Sequence, residues 1–415
     1  MRRLFCACFA GILVLLSLIE SGVAQTESSM EGYIRVRPGY RVVRNDTPNN
    51  PDSLVLTTPE ELTRTFGLLQ FDLSRNDLKS HFQIRPYYEF GSEETQDKIH
   101  IDEAYLDKAF SPSLFAFGGR RNIVNGIAHV SNPSDFLGGE KEIDTSLDET
   151  ERRELRNGVY LTGLEYFFDE GSISALVAPR MGDLQQEDTQ LQLKLALLYP
   201  ELDTDIELLG LLIADRPGVG VNLSHTFNNS TVLYTESALR RGRDRSVVAG
   251  DRIQEDNRNN YRFNGVAGGQ YTFDNGVNLI MEYLYDENGY SSGEWRAVQG
   301  FFQSNTADLS TPGAPQAMAN LGLGNQEIID KALLKQQYLF SRLNHPQWWG
   351  DADSSLILLK NLDDGSYLLR GRMEKDIADH VRIGIMAEYL AGDSWDEFGL
   401  RSWKQAVIFD LKYFF

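Results

Sequence analysis

The sequence predicts an all-β protein, a transmembrane antiparallel up-and-down β-barrel. Three observations carry this prediction. Apolar and polar side chains alternate over stretches of about ten residues, the length of a tilted strand crossing a bilayer. The connections between these stretches sort into short turns and long loops that take turns along the chain. The last stretch, Val407 to Phe415, is apolar at every second position up to its final aromatic.

The chain opens with Arg2 and Arg3, an apolar run from Leu4 to Ile19, and a small-residue site ending at Ala24. This order is expected of a secretory signal peptide over 1–24, removed to leave a barrel over 25–415. Both cysteines, Cys6 and Cys8, lie inside the leader. The exported part therefore has no disulfide to hold it together. Past the leader there is no apolar run of helical-span length. The mean hydropathy of −0.35 still permits a barrel, whose strands need only every second residue apolar.

The alternation can be followed along the chain. Ile34, Val36, Tyr40 and Val42 oppose Tyr33, Arg35, Arg37 and Arg41. Phe82, Ile84, Tyr88 and Phe90 oppose His81, Gln83, Arg85, Tyr87 and Glu89. Leu191, Leu193, Leu195 and Leu197 oppose Gln190, Gln192 and Lys194, and Val381, Ile383 and Ile385 oppose Arg382 and Gly384. Eighteen strands are predicted, starting near residues 32, 63, 80, 99, 113, 157, 172, 189, 204, 218, 230, 261, 276, 333, 354, 366, 380 and 402. Sixteen is the competing count, because losing a pair among the weaker stretches 99–107, 204–213 and 333–343 preserves the loop parity. Residues 25–31 read as a polar lead-in.

The long connections, 44–62, 122–156, 240–260 and 286–332, all fall on one side, and most of the others are tight turns. A bacterial outer-membrane barrel has this asymmetry, with its short turns in the periplasm. Segment 286–332 carries Thr311-Pro312-Gly313-Ala314-Pro315 and reads as loop. Ser146 and Glu149 have capping-box spacing, which leaves a short helix and a solvated acidic loop equally open there. The terminal strand is expected to present its apolar face to lipid and to pair with the first strand. An open edge in hydrocarbon would strand N–H and C=O groups at several kcal/mol each. The terminal Phe415 resembles the signal read by the barrel-assembly machinery. Lipid and lipopolysaccharide are the expected surroundings. The acidic loops invite Ca²⁺, but no oxygen-ligand spacing defines a site.

Closing the ring makes the strands at 366, 380, 402 and 32 neighbours. Their inward positions hold Arg370, Arg372, Arg382, Lys404, Lys412, Arg35, Arg37 and Arg41 against Glu374, Glu388 and Asp410. That is a basic arc in a chain of net charge −20. Cations along a narrow wet lumen select solutes by sign, and arginine forks fit carboxylates and phosphates. The arc reads either as a track for anionic solutes or an acidic polysaccharide, or as an internal salt-bridge network bracing the wall.

Glu103-Ala104-Tyr105-Leu106, a strand ending Gly119-Arg120-Arg121, then Asn125-Gly126 and Asn132-Pro133-Ser134-Asp135 resemble the alginate-export-type family of outer-membrane porin-like barrels. That family usually has Gly-Arg-Gln, an aromatic-Gly pair and an Asn-Pro-x-Asp turn. This chain departs from the pattern at Arg121 and Asn125. The motif covers only the stretch Ile101 to Leu137. The resemblance implies an eighteen-stranded barrel with an arginine-rich lumen that passes a polyuronate. It also implies Arg120 and Arg121 near the pore, with the loop after them folded inward as a constriction. The local alternative is a bulge at Gly118-Gly119 and a plain turn at Asn132-Pro133.

Other classes have less support. So acidic a chain lacks the footprint for nucleic acid. The six histidines are scattered, none at metal-ligand spacing, and no nucleophile-elbow or phosphate-loop motif occurs. No cofactor is called for and no enzyme is predicted. A lipase- or protease-type barrel assembled across strands stands as one alternative. A plugged structural or adhesive barrel stands as another.

Overall fold

The computed structural model describes residues 26–91, 96–138, 155–185, 188–213, 216–256, 259–348 and 350–415. The leader 1–24 and the Ser146–Glu149 capping box lie outside these described residues. The strands are β1 (Thr26–Val43), β2 (Glu61–Arg75), β3 (Leu78–Phe90), β4 (Gln96–Ser111), β5 (Leu114–Arg121), β6 (Val159–Phe168), β7 (Gly171–Ala178), β8 (Gln190–Tyr199), β9 (Thr204–Ile213), β10 (Gly218–Asn228), β11 (Thr231–Arg241), β14 (Tyr261–Thr272), β15 (Asn278–Asp286), β16 (Gln337–His345), β17 (Asp353–Asn361), β18 (Tyr367–Ala378), β19 (Val381–Ala391) and β20 (Trp403–Phe414). They form one 18-stranded sheet in which each strand pairs antiparallel with its neighbours in the chain and β1 also pairs with β20. Two more strands, β12 (Ser246–Ala249) and β13 (Arg252–Glu255), make a separate hairpin in a connection.

Eighteen strands therefore stand where alternation places them, including the three weaker stretches. The lead-in differs from expectation. Residues Thr26 to Gly32 continue β1, because β2 offers them partners from Arg75 to Leu69. Ring closure reaches the last residue: Gly32 N–H donates to Phe415 O at 3.1 Å and Phe415 N–H to Gly32 O at 3.0 Å. A Cβ on Gly32 would stand 2.6 Å from Leu68 O and 2.7 Å from the Phe415 ring. Only glycine lets these three segments meet.

Side-chain alternation divides the wall into two faces. Outward positions such as Ile34, Leu193, Leu212, Val219, Phe409 and Leu411 form an exposed apolar band. Inward positions carry most of the buried polar groups, among them Arg35, Arg85, Gln192, Glu236, Glu282 and Arg370. One register shift, between Gln83 and Ile84 opposite β4, is a bulge that turns two successive carboxylates, Asp102 and Glu103, to the same inner side.

The ends of the barrel differ. Connections 76–77, 112–113, 169–170, 229–230 and 379–380 are two residues each. The opposite end carries the long ones, and several of these are structured. Segment 287–336 holds helices α1 (Ser292–Asp308) and α2 (Ala314–Gly324). Ser291 and Glu294 close a capping box on α1, and Pro315 stands in the first turn of α2. Trp295, Phe301, Phe302 and Leu321 from this segment share one apolar core with Leu400 of 392–402. Val55 of 44–60 and Val248 and Ile253 of the β12–β13 hairpin pack against it. Four connections thus fold into a single cap over the long-loop end.

Candidate functional site

The inner wall between β18 and β2 is built from arginines in successive inward positions. Asp410 of β20 accepts from Arg35 Nε at 2.8 Å and also contacts Arg35 Nη2 and, at 3.3 Å, Arg37 Nε. Glu374 of β18 takes Arg372 Nη2 at 2.6 Å and lies 3.9 Å from Arg35 Nη2. Glu388 of β19 accepts from Arg370 Nη2 at 2.7 Å and from the Trp403 indole at 3.1 Å. The Arg41 guanidinium lies 4.7 Å from the Trp403 ring. Arg37 stands directly opposite Arg64 of β2, which pairs with Glu89 at 2.8 Å. Lys412 sits 3.9 Å over the Tyr33 ring. Arg382 is paired with Asp376 toward the short-turn end.

The structure thus brings Arg35, Arg37, Arg41, Arg370, Arg372, Arg382, Lys412, Glu374 and Glu388 to one arc. Pairing is extensive, as the bracing reading expects, and among the described residues arginine and lysine outnumber the arc's carboxylates. Lys404 leaves the row. A register shift falls where Val42 pairs with Gln405 but Val43 with Trp403. Lys404 is left exposed there, its Nζ 5.9 Å from the Tyr389 ring.

The other predicted cations stand elsewhere. Arg85 is buried against Asp102 at 2.9 Å and donates to Leu155 O. Arg121 donates to Asp107 at 3.2 Å and lies over the Tyr105 and Phe117 rings. Its neighbour Arg120 takes the opposite face of β5, with its guanidinium over the Tyr160 ring. Successive strand residues cannot share a face without a bulge, so the pair does not act together.

The segment after Arg121 enters the barrel. Phe136 and Leu137 pack against Phe117, Leu161, Leu176 and Leu211 of the inner wall, while Ala128 and Val130 reach Val266, Leu284 and Tyr338 across from them. Two carboxylates anchor its middle. Glu236 of β11 accepts the backbone N–H groups of Ile127 and Ala128. Glu282 of β15 accepts those of His129 at 2.7 Å and Val130 at 3.0 Å. Neither acid nor Arg64 and Arg156 was singled out from sequence. The only sign of the acids was their inward parity.

Two spaces in the interior touch the arc. One, of about 320 Å³, lies beside Tyr33, Gln70, Gln83, Glu103, Asn122 and Lys412. The other, of about 500 Å³, lies between the inward segment, the cap and the wall of β16–β20, with Arg370, Glu388 and Trp403 on its side. Among the described residues no group of His, Cys, Asp and Glu could hold a metal. In the cap, burial raises the Glu397 and Asp330 carboxyls above their usual range and lowers the Lys335 ammonium.

No protein-family description and no curated protein matches the chain. Its fold does match solved structures. A BenF-like porin from Pseudomonas fluorescens Pf-5 aligns with a TM-score of 0.54 at 8% identity, over 94% of this chain and 98% of that one. Pseudomonas aeruginosa OpdQ gives 0.53 at 9% identity, over 94% and 99%. Pseudomonas aeruginosa OccK11 gives 0.52 at 9% identity, over 93% and 95%. At such identities the likeness is one of fold: the chain is an eighteen-stranded antiparallel transmembrane β-barrel, the architecture these porins share with it.

Proposed function

We propose that the chain is a passive outer-membrane channel of a Gram-negative bacterium that favours anionic solutes. The observation that carries this is the excess of cations over carboxylates, among the described residues, along the inner arc of β18, β19, β20, β1 and β2, in a chain of net charge −20. A translocated anion gains from a positive path, because weak repeated contacts release as readily as they bind. The shared fold with porins supports transport over enzymatic turnover. On this reading Phe415 ends the strand presented to the assembly machinery, and the loops face lipopolysaccharide.

The finer choice lies between a small organic anion and an acidic polysaccharide of the alginate kind. The inward segment and the cap fill part of the lumen, and spaces of about 500 and 320 Å³ lie beside them. These dimensions suit small solutes, so a small anion is the form we favour. The same two features favour the rival reading of a sealed structural barrel.

Planar-bilayer recording separates the readings. An open pore with a reversal potential shifted toward chloride is expected. Arg35, Arg37, Arg370 and Arg372 replaced together by Gln should bring that potential toward zero. A sealed barrel, or selectivity indifferent to the four substitutions, would overturn the proposal.

A further inference from the structure

The outer face of a membrane barrel is ordinarily apolar, since a charge set against lipid is costly. Arg120 departs from this. It stands on the outward side of β5, opposite Ala104 of β4 and Tyr160 of β6. It is partly exposed, and its guanidinium lies 5.3 Å from the Tyr160 ring. No hydrogen bond or ion pair reaches it among the described residues, at Nε or elsewhere. The ring steadies the cation but supplies no counter-charge.

The level of Arg120 along the barrel says what can supply one. It is the last residue but one of β5, at the end that leads into the long connections. Two more outward cations stand at that end beside a tyrosine. Arg241 closes β11 opposite Tyr261, and Lys360, one residue from the end of β17, is opposite Tyr367. Cations and tyrosines side by side belong at the boundary between hydrocarbon and headgroups. Below Arg120 the face is grooved. The next outward residues of β5 are Gly118 and Ala116, flanked by Leu106 of β4 and Leu164 of β6. The two leucines are 53% and 55% exposed. A Cβ on Gly118 would meet only Thr162 Oγ1, at 3.7 Å. With strands about 4.8 Å apart, the leucines border a trough about as wide as one alkyl chain.

We propose that Arg120, Tyr160 and this trough bind a phosphorylated, acylated sugar of the outer leaflet, a headgroup of the lipid A kind. Its phosphate lies on Arg120 through charge-assisted hydrogen bonds, and one acyl chain lies in the trough between Leu106 and Leu164. A free phosphate gains nothing from the trough, and an uncharged lipid gains nothing from the cation. This deepens the channel reading and rests on it for orientation, because that reading sets the long-loop end in the outer leaflet.

The test uses the full chain in detergent, with lipid counted by native mass spectrometry. The probes are lipid A, its dephosphorylated form and phosphatidylglycerol, each at the same concentration. Lipid A should be retained, and at least fivefold more of it than of either other lipid. Arg120→Gln should lower the count by one lipid A per chain. Gly118→Leu, which keeps the charge and fills the trough, should lower it likewise. Inorganic phosphate in millimolar excess should not displace the lipid.

An unchanged lipid A count in Arg120→Gln would overturn the site, as would dephosphorylated lipid held equally well. Phosphatidylglycerol held equally well would overturn the glycolipid assignment. The wild-type comparison among the three lipids decides even if a variant fails to fold, which heat-modifiable migration on a gel reveals. Chloride selectivity together with no preference for lipid A would overturn the site and leave the channel reading standing. Selective lipid A binding by a protein that conducts nothing would support the site and overturn the channel reading alone.

Discussion

Glu236 and Glu282 stand on β11 and β15, two strands separated only by β14, and divide four consecutive backbone N–H groups between them. Ile127 and Ala128 donate to the first, His129 and Val130 to the second. Tyr234 adds a hydroxyl donor to Glu282 at 2.5 Å. A stretch with no partner strand is thus held inside the barrel by charge-assisted bonds. Glu236→Ala with Glu282→Ala leaves the four backbone donors and the Tyr234 hydroxyl unmet, at about 1–3 kcal/mol each where they stay buried. The segment should detach, and single-channel records should show larger and noisier openings. The Gln pair, which keeps one acceptor oxygen per site, should fall between. Identical traces for all three proteins would show that the segment does not narrow the path.

Asp410 offers a test of opposite sign. It is the carboxylate shared by Arg35 and Arg37. Asp410→Asn should raise the preference for anions, since two guanidiniums lose their counter-charge. It should also destabilise the wall, by about 3–5 kcal/mol if the pair behaves as buried pairs usually do. Reversal potential and thermal unfolding in detergent read the two effects separately. A fall in anion preference would contradict the assigned role of the arc.

Ring closure depends on the smallest residue of β1. Gly32→Val places methyl groups where Leu68 O and the Phe415 ring already stand. Heat-modifiable gel migration should show less folded barrel and a lower melting temperature, whereas Gly371→Val, at a glycine with open space around it, should leave both unchanged.

The cap should respond to pH. Burial raises the Glu397 and Asp330 carboxyls, although Arg401 opposes this at both. A carboxyl raised in the folded state contributes stability that is fully present below its unfolded value, about 4. That stability is lost as pH rises through the folded value. Hydrogen-exchange protection of segment 292–334, corrected for intrinsic rates, should therefore increase as the buffer is taken from pH 8 toward pH 5. Constant or falling protection would refute the assignment.

The wall was legible in the sequence because a two-residue period says which side chains share a face, and the loop lengths say which end each connection serves. The contents of the lumen were not. An inward glutamate looks the same in sequence whether it meets a lysine of the neighbouring strand, as Glu207 meets Lys194 at 2.6 Å, or the backbone of a segment more than a hundred residues away, as Glu236 does. Pro312 and Pro315 suggested a loop, yet a proline stands in the first turn of α2, where the missing N–H has no helical partner to lose. Ser291 and Glu294 carried the same capping signal as Ser146 and Glu149 and marked the start of α1. Local irregularities escaped as well. The bulge at Asp102–Glu103 and the slip at Lys404 each depend on a neighbouring strand that alternation alone does not reveal.

Val55 and Leu400 belong to the same cap core, though nearly the whole length of the barrel separates them in the chain. They sit on the two connections that flank the seam between the first and last strands. The dome therefore bridges that seam, and clasps the cylinder at the one place where its ends are joined by no turn.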